Sequence, residues 1–356
     1  MNPSRLTRPA VALAAALLLC AAAEPDAAAP EPLEEVLVVG RQPGPGLWRV
    51  TRRDDPEHHV LWLLGDHAPL PRRLEWRSAE VEDVIRHSQV VIGPPAVDAA
   101  VGPLGGLTLL PSLFRVRHSP DGLALRELLP PDLYARWQPL KARYLGDARD
   151  VERWRPIFAA SALHRAALAS HGFTPYEGVW PAVEKLARRA RVPVNRPELR
   201  IDVDQPRAAI REFKRMPLED LACFERTLAR LETDLDLLRE RANAWAVGDV
   251  AQLRELAPVA RATACIGALL ESPLAQARGY GDLVDRARAT WLEAVEQAIG
   301  RHASTLAVTS IEELLAPDGP VSTLRRRGYV IEAPGDAVGA SATGSGDGAD
   351  RATPLN

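Results

Sequence analysis

The stretch Leu61–Pro71 reads LWLLGDHAPLP, and it decides how the fold is organised. Four apolar residues end at Gly65, and Asp66 and His67 follow directly. This pattern is typical of a buried strand that carries polar side chains at its carboxyl end. We therefore predict a strand here and treat Asp66 and His67 as candidate site residues.

The residues around this stretch predict a sheet covered by helices. Leu47–Arg52 alternates apolar and polar residues, and together with His59–Leu64 it predicts a hairpin. An amphipathic helix over 77–88 and a buried strand over Gln89–Gly93 follow. The order β-β-α-β favours an α/β (α+β) fold with a mixed central sheet.

The middle of the chain, from about residue 120 to 300, predicts mostly helix. Apolar residues recur there at alternating spacings of three and four from Leu221 to Trp245. Such a seam predicts a helix that packs along its length on one partner. Gly248-Asp249 offers a turn into a second helix, so we predict a helical hairpin over about 217–270. A coiled-coil dimer is the alternative use of the seam.

The two ends of the chain predict segments outside the folded domain. Arg5 and Arg8 precede an apolar run that ends at Leu19, and Ala21 and Ala23 fit a cleavage site, as in a signal peptide. A lipid anchor on Cys20 is the alternative, although Leu19 stands where a small residue is wanted. We divide the chain into a signal peptide (1–23), a flexible lead-in (24–45) with a strand candidate at Glu35–Gly40, one domain (46–333) and a disordered tail (334–356).

Composition excludes several function classes. The 356 residues are 46% hydrophobic and 26% charged with a net charge of −3, and no basic block indicates nucleic acid as a partner. The N-terminal apolar run is too short to stay across a bilayer, so we predict no transmembrane segment in the mature chain. H-E-x-x-H, C-x-x-C, P-loop, G-x-S-x-G and G-x-G-x-x-G motifs are absent from the sequence.

Two cysteines, Cys223 and Cys265, remain after removal of the predicted signal peptide. In an oxidising compartment such a pair is a disulfide candidate. The bond would close a loop of about 43 residues and stabilise the fold by roughly 4 kcal/mol in the chain-entropy account. Cys223 lies off the apolar seam, so two buried free thiols remain the alternative.

The order of several motifs resembles the TraB/GumN family over roughly Gly46 to Glu332. The most specific pieces are LWLLG–HAPLP at Leu61–Pro71, AWAVGD at Ala244–Asp249 and LRRRGYVI at Leu324–Ile331. The resemblance implies a site of two Gly-x-x-His motifs and a glutamate, each at a strand end. Imidazoles and a carboxylate can hold a divalent metal such as zinc or manganese. Some animal members are described as metal-dependent proteases.

This sequence departs from the implied site at each of its three positions. The first motif, Gly65-Asp66-His67, is one residue short. Gly93 followed by Pro94 stands where the glutamate is expected, and the second motif falls at Thr309–Glu313 without a histidine. His302 precedes the strand predicted at Ala303–Ser310 and would lie at the opposite end of that strand.

Two interpretations of these departures stay open. A rebuilt metal site could use Asp66, His67 and Glu312, with His67 as the candidate metal ligand and Glu313 beside Glu312. Alternatively, Asp66 and His67 bind local backbone groups in a loop. A second histidine pair, His58-His59 beside Glu57, falls in a predicted turn, and we interpret it as solvated.

We predict an exported periplasmic protein that has lost the family's metal site and needs no cofactor. It would act as a non-catalytic binding or interaction module for a periplasmic protein or peptide. The alternative is a metal-dependent, peptidase-like hydrolase with a rebuilt site around Asp66 and His67.

Overall fold

The structure of the chain is a computed structural model that covers most of the predicted domain. It describes residues 44–100, 116–119, 121–174, 178–203, 205–215, 220–233, 235–256, 270 and 272–335. The signal peptide, the strand candidate Glu35–Gly40, Cys265 and nearly all of the predicted tail lie outside the described residues. Expectations about those segments stay predictions.

Ten strands are present in the described part of the chain. They are β1 (Leu47–Arg52), β2 (Val60–Asp66), β3 (Leu70–Pro71), β4 (Val90–Ile92), β5 (Ala96–Ala100), β6 (Phe173–Thr174), β7 (Val194–Asn195), β8 (Glu198–Asp202), β9 (Ser304–Ser310) and β10 (Tyr329–Glu332). Six of them form the central sheet in the order β10-β1-β2-β9-β4-β7. The short pairs β3-β6 and β5-β8 are separate.

The central sheet is mixed, as the sequence predicts. β1 pairs antiparallel with β10 and β2, which confirms the predicted hairpin, whereas β2, β9, β4 and β7 run parallel. The register places Asp66, the last residue of β2, beside Ser310, the last residue of β9. We call the end of the sheet at which β2, β9 and β4 finish the carboxyl edge.

Helices cover the sheet and form most of the middle of the chain. They are α1 (Ala79–His87), α2 (Leu125–Leu128), α3 (Pro131–Tyr144), α4 (Pro156–Ser170), α5 (Trp180–Ala190), α6 (Pro206–Arg215), α7 (Asp220–Thr233), α8 (Leu235–Ala246), α9 (Val250–Glu255), α10 (Pro273–Ala277), α11 (Leu283–Ile299), α12 (Ile311–Leu315) and α13 (Pro320–Arg326), with a 3₁₀ turn at Asp150–Arg153. Among the described helices, none has the length and apolar character that crossing a membrane requires.

Buried side chains form two main clusters. The sheet core joins the central sheet to α1, α5, α8, α11, α12 and α13. The helical core joins α2, α3, α4 and α7, with Trp137 and Phe224 at a ring-centroid distance of 5.3 Å. A small third cluster of Leu168, Phe173 and Leu238 adjoins the helical core, since Leu235 packs against both.

The apolar seam contributes to both cores, and the expectation of a single partner along its length is wrong. Phe224 and Leu228 on α7 lie in the helical core, whereas Ala242 and Trp245 on α8 lie in the sheet core. The three-four spacing identifies the face of a helix that is buried, but it does not identify what covers that face.

The predicted turn after the seam is confirmed. Gly248 adopts a left-handed φ of +69°, which favours glycine. Asp249 caps α9, because its Oδ1 accepts a hydrogen bond from the backbone N–H of Gln252 at 2.8 Å.

Candidate functional site

The three segments expected to hold site residues meet at the carboxyl edge. Gly65, at the end of β2, pairs with Thr309 in β9, and a side chain at position 65 would collide with Ile311. Ile92, just before Gly93, pairs with Ala307. The parallel strands bring these segments together because their carboxyl ends finish at one edge of the sheet.

Asp66 binds the start of α5. Its Oδ1 accepts a hydrogen bond from the backbone N–H of Val179 at 2.5 Å. A carboxylate at a helix N-terminus is stabilised by the exposed N–H groups and by the helix dipole. Gly178 permits the approach, since a Cβ at this position would overlap the Asp66 carboxylate. Asp66 therefore joins β2 to α5.

His67 lies against a different helix. Its side chain is buried, and its ring stacks on Trp245 of α8 with centroids 6.4 Å apart and 27° between the planes. The Trp245 indole N–H donates to the carbonyl of Gly65 at 2.6 Å, and Trp76 packs 6.0 Å from Trp245. Asp66 and His67 thus contact different helices, α5 and α8, as neighbouring residues at a strand end do when they face opposite sides.

Glu312 is an ion-pair partner of a buried arginine. Its Oε1 lies 2.5 Å from Nη2 of Arg241 on α8, whose side chain is 1% exposed. Nη1 of Arg241 also donates to the carbonyls of Leu253, at 3.1 Å, and Leu256, at 2.8 Å. A buried guanidinium needs such a counter-charge and acceptors, because isolated burial of a charge is very costly.

Glu313 is also paired with an arginine. Its two oxygens accept from Nε and Nη2 of Arg288 on α11, at 2.7 and 3.0 Å. The side-chain hydrogen bond to Glu313 raises the pKa of Arg288 above its ordinary value, although burial opposes this. Both carboxylates that follow β9 are therefore bound by guanidinium groups.

Tryptophans fill the space around Gly93. A Cβ at position 93 would lie 2.8 Å from the Trp180 ring. Trp291 donates from its indole N–H to the Gly93 carbonyl at 2.9 Å. The position at which the resemblance implies a metal-binding glutamate is packed against indole rings.

The described residues of the carboxyl edge do not form a metal-binding group of three or more ligands. A catalytic zinc site usually takes three protein ligands. Among the described residues, no group of three or more His, Cys, Asp or Glu side chains is arranged to hold a metal ion. Each proposed ligand has a different partner. Asp66 accepts from a backbone N–H at the start of α5, His67 stacks on a tryptophan ring, and Glu312 pairs with an arginine. The rebuilt site of Asp66, His67 and Glu312 does not fit this geometry.

Comparison with the sequence profiles of known families identifies the family of this chain. The sequence profile of the TraB/PrgY/gumN family matches residues 46–333, which is most of the chain. The chain belongs to the TraB/PrgY/gumN family. No curated protein and no solved structure gives a significant match. Family membership confirms the resemblance drawn from the motifs, and it assigns no activity to this member.

Sequence reasoning missed the residues that complete the carboxyl edge of this TraB/PrgY/gumN protein. Trp245 lies within the AWAVGD motif, but its bond to the Gly65 carbonyl comes from far along the chain. Arg241 stands three residues after Leu238 and beside Ala242, on the apolar side of α8. A charged residue on the apolar side of a helix is the sequence feature that could have indicated a buried ion pair. Trp180 and Val179 carried no comparable signal.

Proposed function

We propose that this TraB/PrgY/gumN protein is a non-catalytic binding or interaction module of the periplasm. The observation that carries the proposal is the filled carboxyl edge. The Trp180 ring occupies the space beside Gly93, and Arg241 forms an ion pair with the carboxylate of Glu312. A metal at this edge would have to displace a buried arginine and separate its ion pair, which is costly.

The first experiment measures bound metal. The full chain is exported in a bacterial host, dialysed against trace zinc and manganese, and analysed by plasma mass spectrometry for metal per chain. His67→Ala is the test variant, and His302→Ala is the control because His302 lies before β9, at the opposite end of the sheet. We expect no metal above background in any of the three proteins.

One result would reverse the proposal. If about one metal per chain is bound, lost in His67→Ala and kept in His302→Ala, the carboxyl edge rearranges around a metal. The alternative, a peptidase-like hydrolase using Asp66, His67 and Glu312, then becomes the better account.

We propose that the protein is exported, on the basis of its N-terminal sequence. Mass spectrometry of the mature protein tests this proposal. A chain starting at Glu24 supports cleavage by a signal peptidase. A lipid-bearing mass starting at Cys20 supports the membrane-anchored alternative, and an intact N-terminus contradicts export.

The proposed Cys223–Cys265 disulfide belongs to the same hypothesis. Cys223 is fully buried in α7, and Cys265 lies outside the described residues. Peptide mapping of the exported protein, after blocking free thiols without reductant, should recover the two cysteines in one linked peptide. Alkylation of both cysteines would contradict the pairing. The partner, a periplasmic protein or peptide, would be sought by crosslinking in cells that export the full chain.

A further inference from the structure

A cavity of about 390 Å³ lies at the opposite end of the sheet from the carboxyl edge. It is bordered by the β1–β2 turn, the start of β10 and the end of α11. Its volume is within the range of small-molecule sites. Three residues of the turn, Asp55, Glu57 and His59, form a compact group on its wall.

Asp55 is the fixed member of this group. Its Oδ1 accepts from the backbone N–H of Glu57 at 3.0 Å, and its Oδ2 accepts from the backbone N–H of His59 at 2.7 Å. Burial raises the pKa of Asp55, but the backbone hydrogen bonds from His59 and Glu57 outweigh burial and leave the pKa below its ordinary value. Asp55 therefore stays a carboxylate whenever the fold is intact at mildly acidic or neutral pH.

The His59 ring lies between two carboxylates. Nδ1 is 3.3 Å from Oδ2 of Asp55, and Nε2 is 2.9 Å from Oε2 of Glu57. The His59 side chain is 13% exposed, which corrects the expectation of a solvated histidine, whereas the Glu57 side chain is 74% exposed. An imidazolium can donate toward both carboxylates, but a neutral imidazole has only one N–H.

We propose that Asp55, Glu57 and His59 form a pH-sensitive latch at the rim of this cavity. Protonated His59 holds the Glu57 carboxylate against the ring. When His59 is neutral and keeps its proton on Nδ1 for Asp55, the Nε2 lone pair faces Glu57, and the two acceptors repel each other. Glu57 then turns into water at little cost because it is already exposed, whereas Asp55 stays bound to the backbone.

Other charged or titratable groups also line the cavity. Arg52 lies over the Tyr329 ring, 5.2 Å from its centroid, and burial raises the pKa of Tyr329, which keeps it neutral. Glu296 is paired with Arg327, and Asp54 completes the acidic lining. Histidine is the side chain that ordinarily changes charge near neutral pH, and His59 is the histidine among the lining residues.

Crystal structures of the full chain in one crystal form, equilibrated at about pH 5 and about pH 8, test the latch, because this interval spans the ordinary titration of histidine. We expect the Nε2–Oε2 contact of 2.9 Å at the lower pH, and its loss beyond about 4 Å at the higher pH. The same contact at both pH values would overturn the proposal. This result would leave the proposed function intact, since that function rests on the carboxyl edge.

Two variants sharpen the test. Glu57→Gln supplies an amide N–H that can donate to neutral Nε2, so residue 57 should stay at the rim at both pH values. His58→Asn removes the other histidine of the turn, and asparagine tolerates the φ of +54° at this position. The His58→Asn protein should keep the pH response of the unchanged chain. If His58→Asn abolishes the response, the latch is wrong.

Discussion

Asp66 and Glu312 are carboxylates whose oxygens already accept hydrogen bonds from protein groups. Asp66 is bonded to the backbone N–H of Val179, and Glu312 is bonded to Arg241. The Val179 N–H lies at the start of α5, and the Arg241 guanidinium is buried, so each of these donors depends on its carboxylate. At the scale of the residue, these side chains stabilise the fold.

Glu312→Gln should destabilise the protein by about 2–3 kcal/mol, because it removes the carboxylate that pairs with the buried Arg241 guanidinium. Glu313→Gln is the matched control. Its partner Arg288 is 26% exposed and can be hydrated, so we expect a loss of about 1 kcal/mol or less. Urea unfolding of both variants measures the difference, and equal losses would contradict the assignment of Arg241 as the dependent group.

Gly93→Glu should not create a metal ligand, and it should destabilise the protein by about 1–3 kcal/mol. The added Cβ would lie 2.8 Å from the Trp180 ring, so the carboxylate cannot enter without moving an indole. Thermal unfolding measures the loss. Gly93→Glu should destabilise the protein less in a Trp180→Ala background than in the unchanged chain. If the losses of the two single variants simply add in the double variant, the clash is ruled out.

At the scale of the element, the turn between α8 and α9 was predicted from its own residues. Asp249→Ala should cost about 1 kcal/mol, since it removes the side-chain cap of α9. Asp282→Ala is the control, because Asp282 precedes α11 without a side-chain cap hydrogen bond. Urea midpoints compare the two variants. A loss in Asp282→Ala as large as in Asp249→Ala would show that the cap bond is not the cause.

Local patterns predicted elements well and their neighbours poorly. Alternation in Leu47–Arg52 and the apolar run at Leu61 predicted the hairpin and the central strand, because strand side chains face alternate sides. The apolar seam correctly predicted that one face of α7 and one face of α8 are buried. It wrongly predicted that a single element covers both faces. The short β5-β8 pair was missed, since its strands lie about 100 residues apart and neither is strongly apolar.

The candidate site shows the same limit. The family resemblance implied that Gly65, Gly93 and Thr309 each lie at the end of a strand. It did not predict that Val179, Arg241 and Trp180 complete that edge, since these residues approach from distant helices. Contacts of this kind depend on how whole elements pack, which no local pattern records.

At the scale of the whole molecule, His164 links stability to pH. This residue lies on α4, and burial, together with the nearby positive charge of Arg230, lowers its pKa to about 4. The unfolded chain would take up a proton near the ordinary value of 6.5. Between these two values the unfolded state binds more protons, so stability falls as the pH is lowered from about 6.5 towards 4, by roughly 3 kcal/mol.

Replacing His164 with glutamine tests this dependence. His164→Gln should flatten the fall in urea midpoint between about pH 6.5 and pH 4.5, because glutamine does not titrate in that range. His87→Gln, which changes an exposed histidine of α1, is the control and should leave the slope as it is. An unchanged slope in His164→Gln would assign the acid sensitivity to other groups.

The contact between Gly93 and Trp180 also limits how this lineage could change. A carboxylate introduced at position 93 is harmful while the indole is in place, and a small residue at position 180 leaves a hole while position 93 is glycine. Each of these two substitutions is therefore harmful until the other has occurred. Packing of this kind makes the order of mutations matter, so a carboxylate is difficult to introduce at this edge of the sheet by single substitutions.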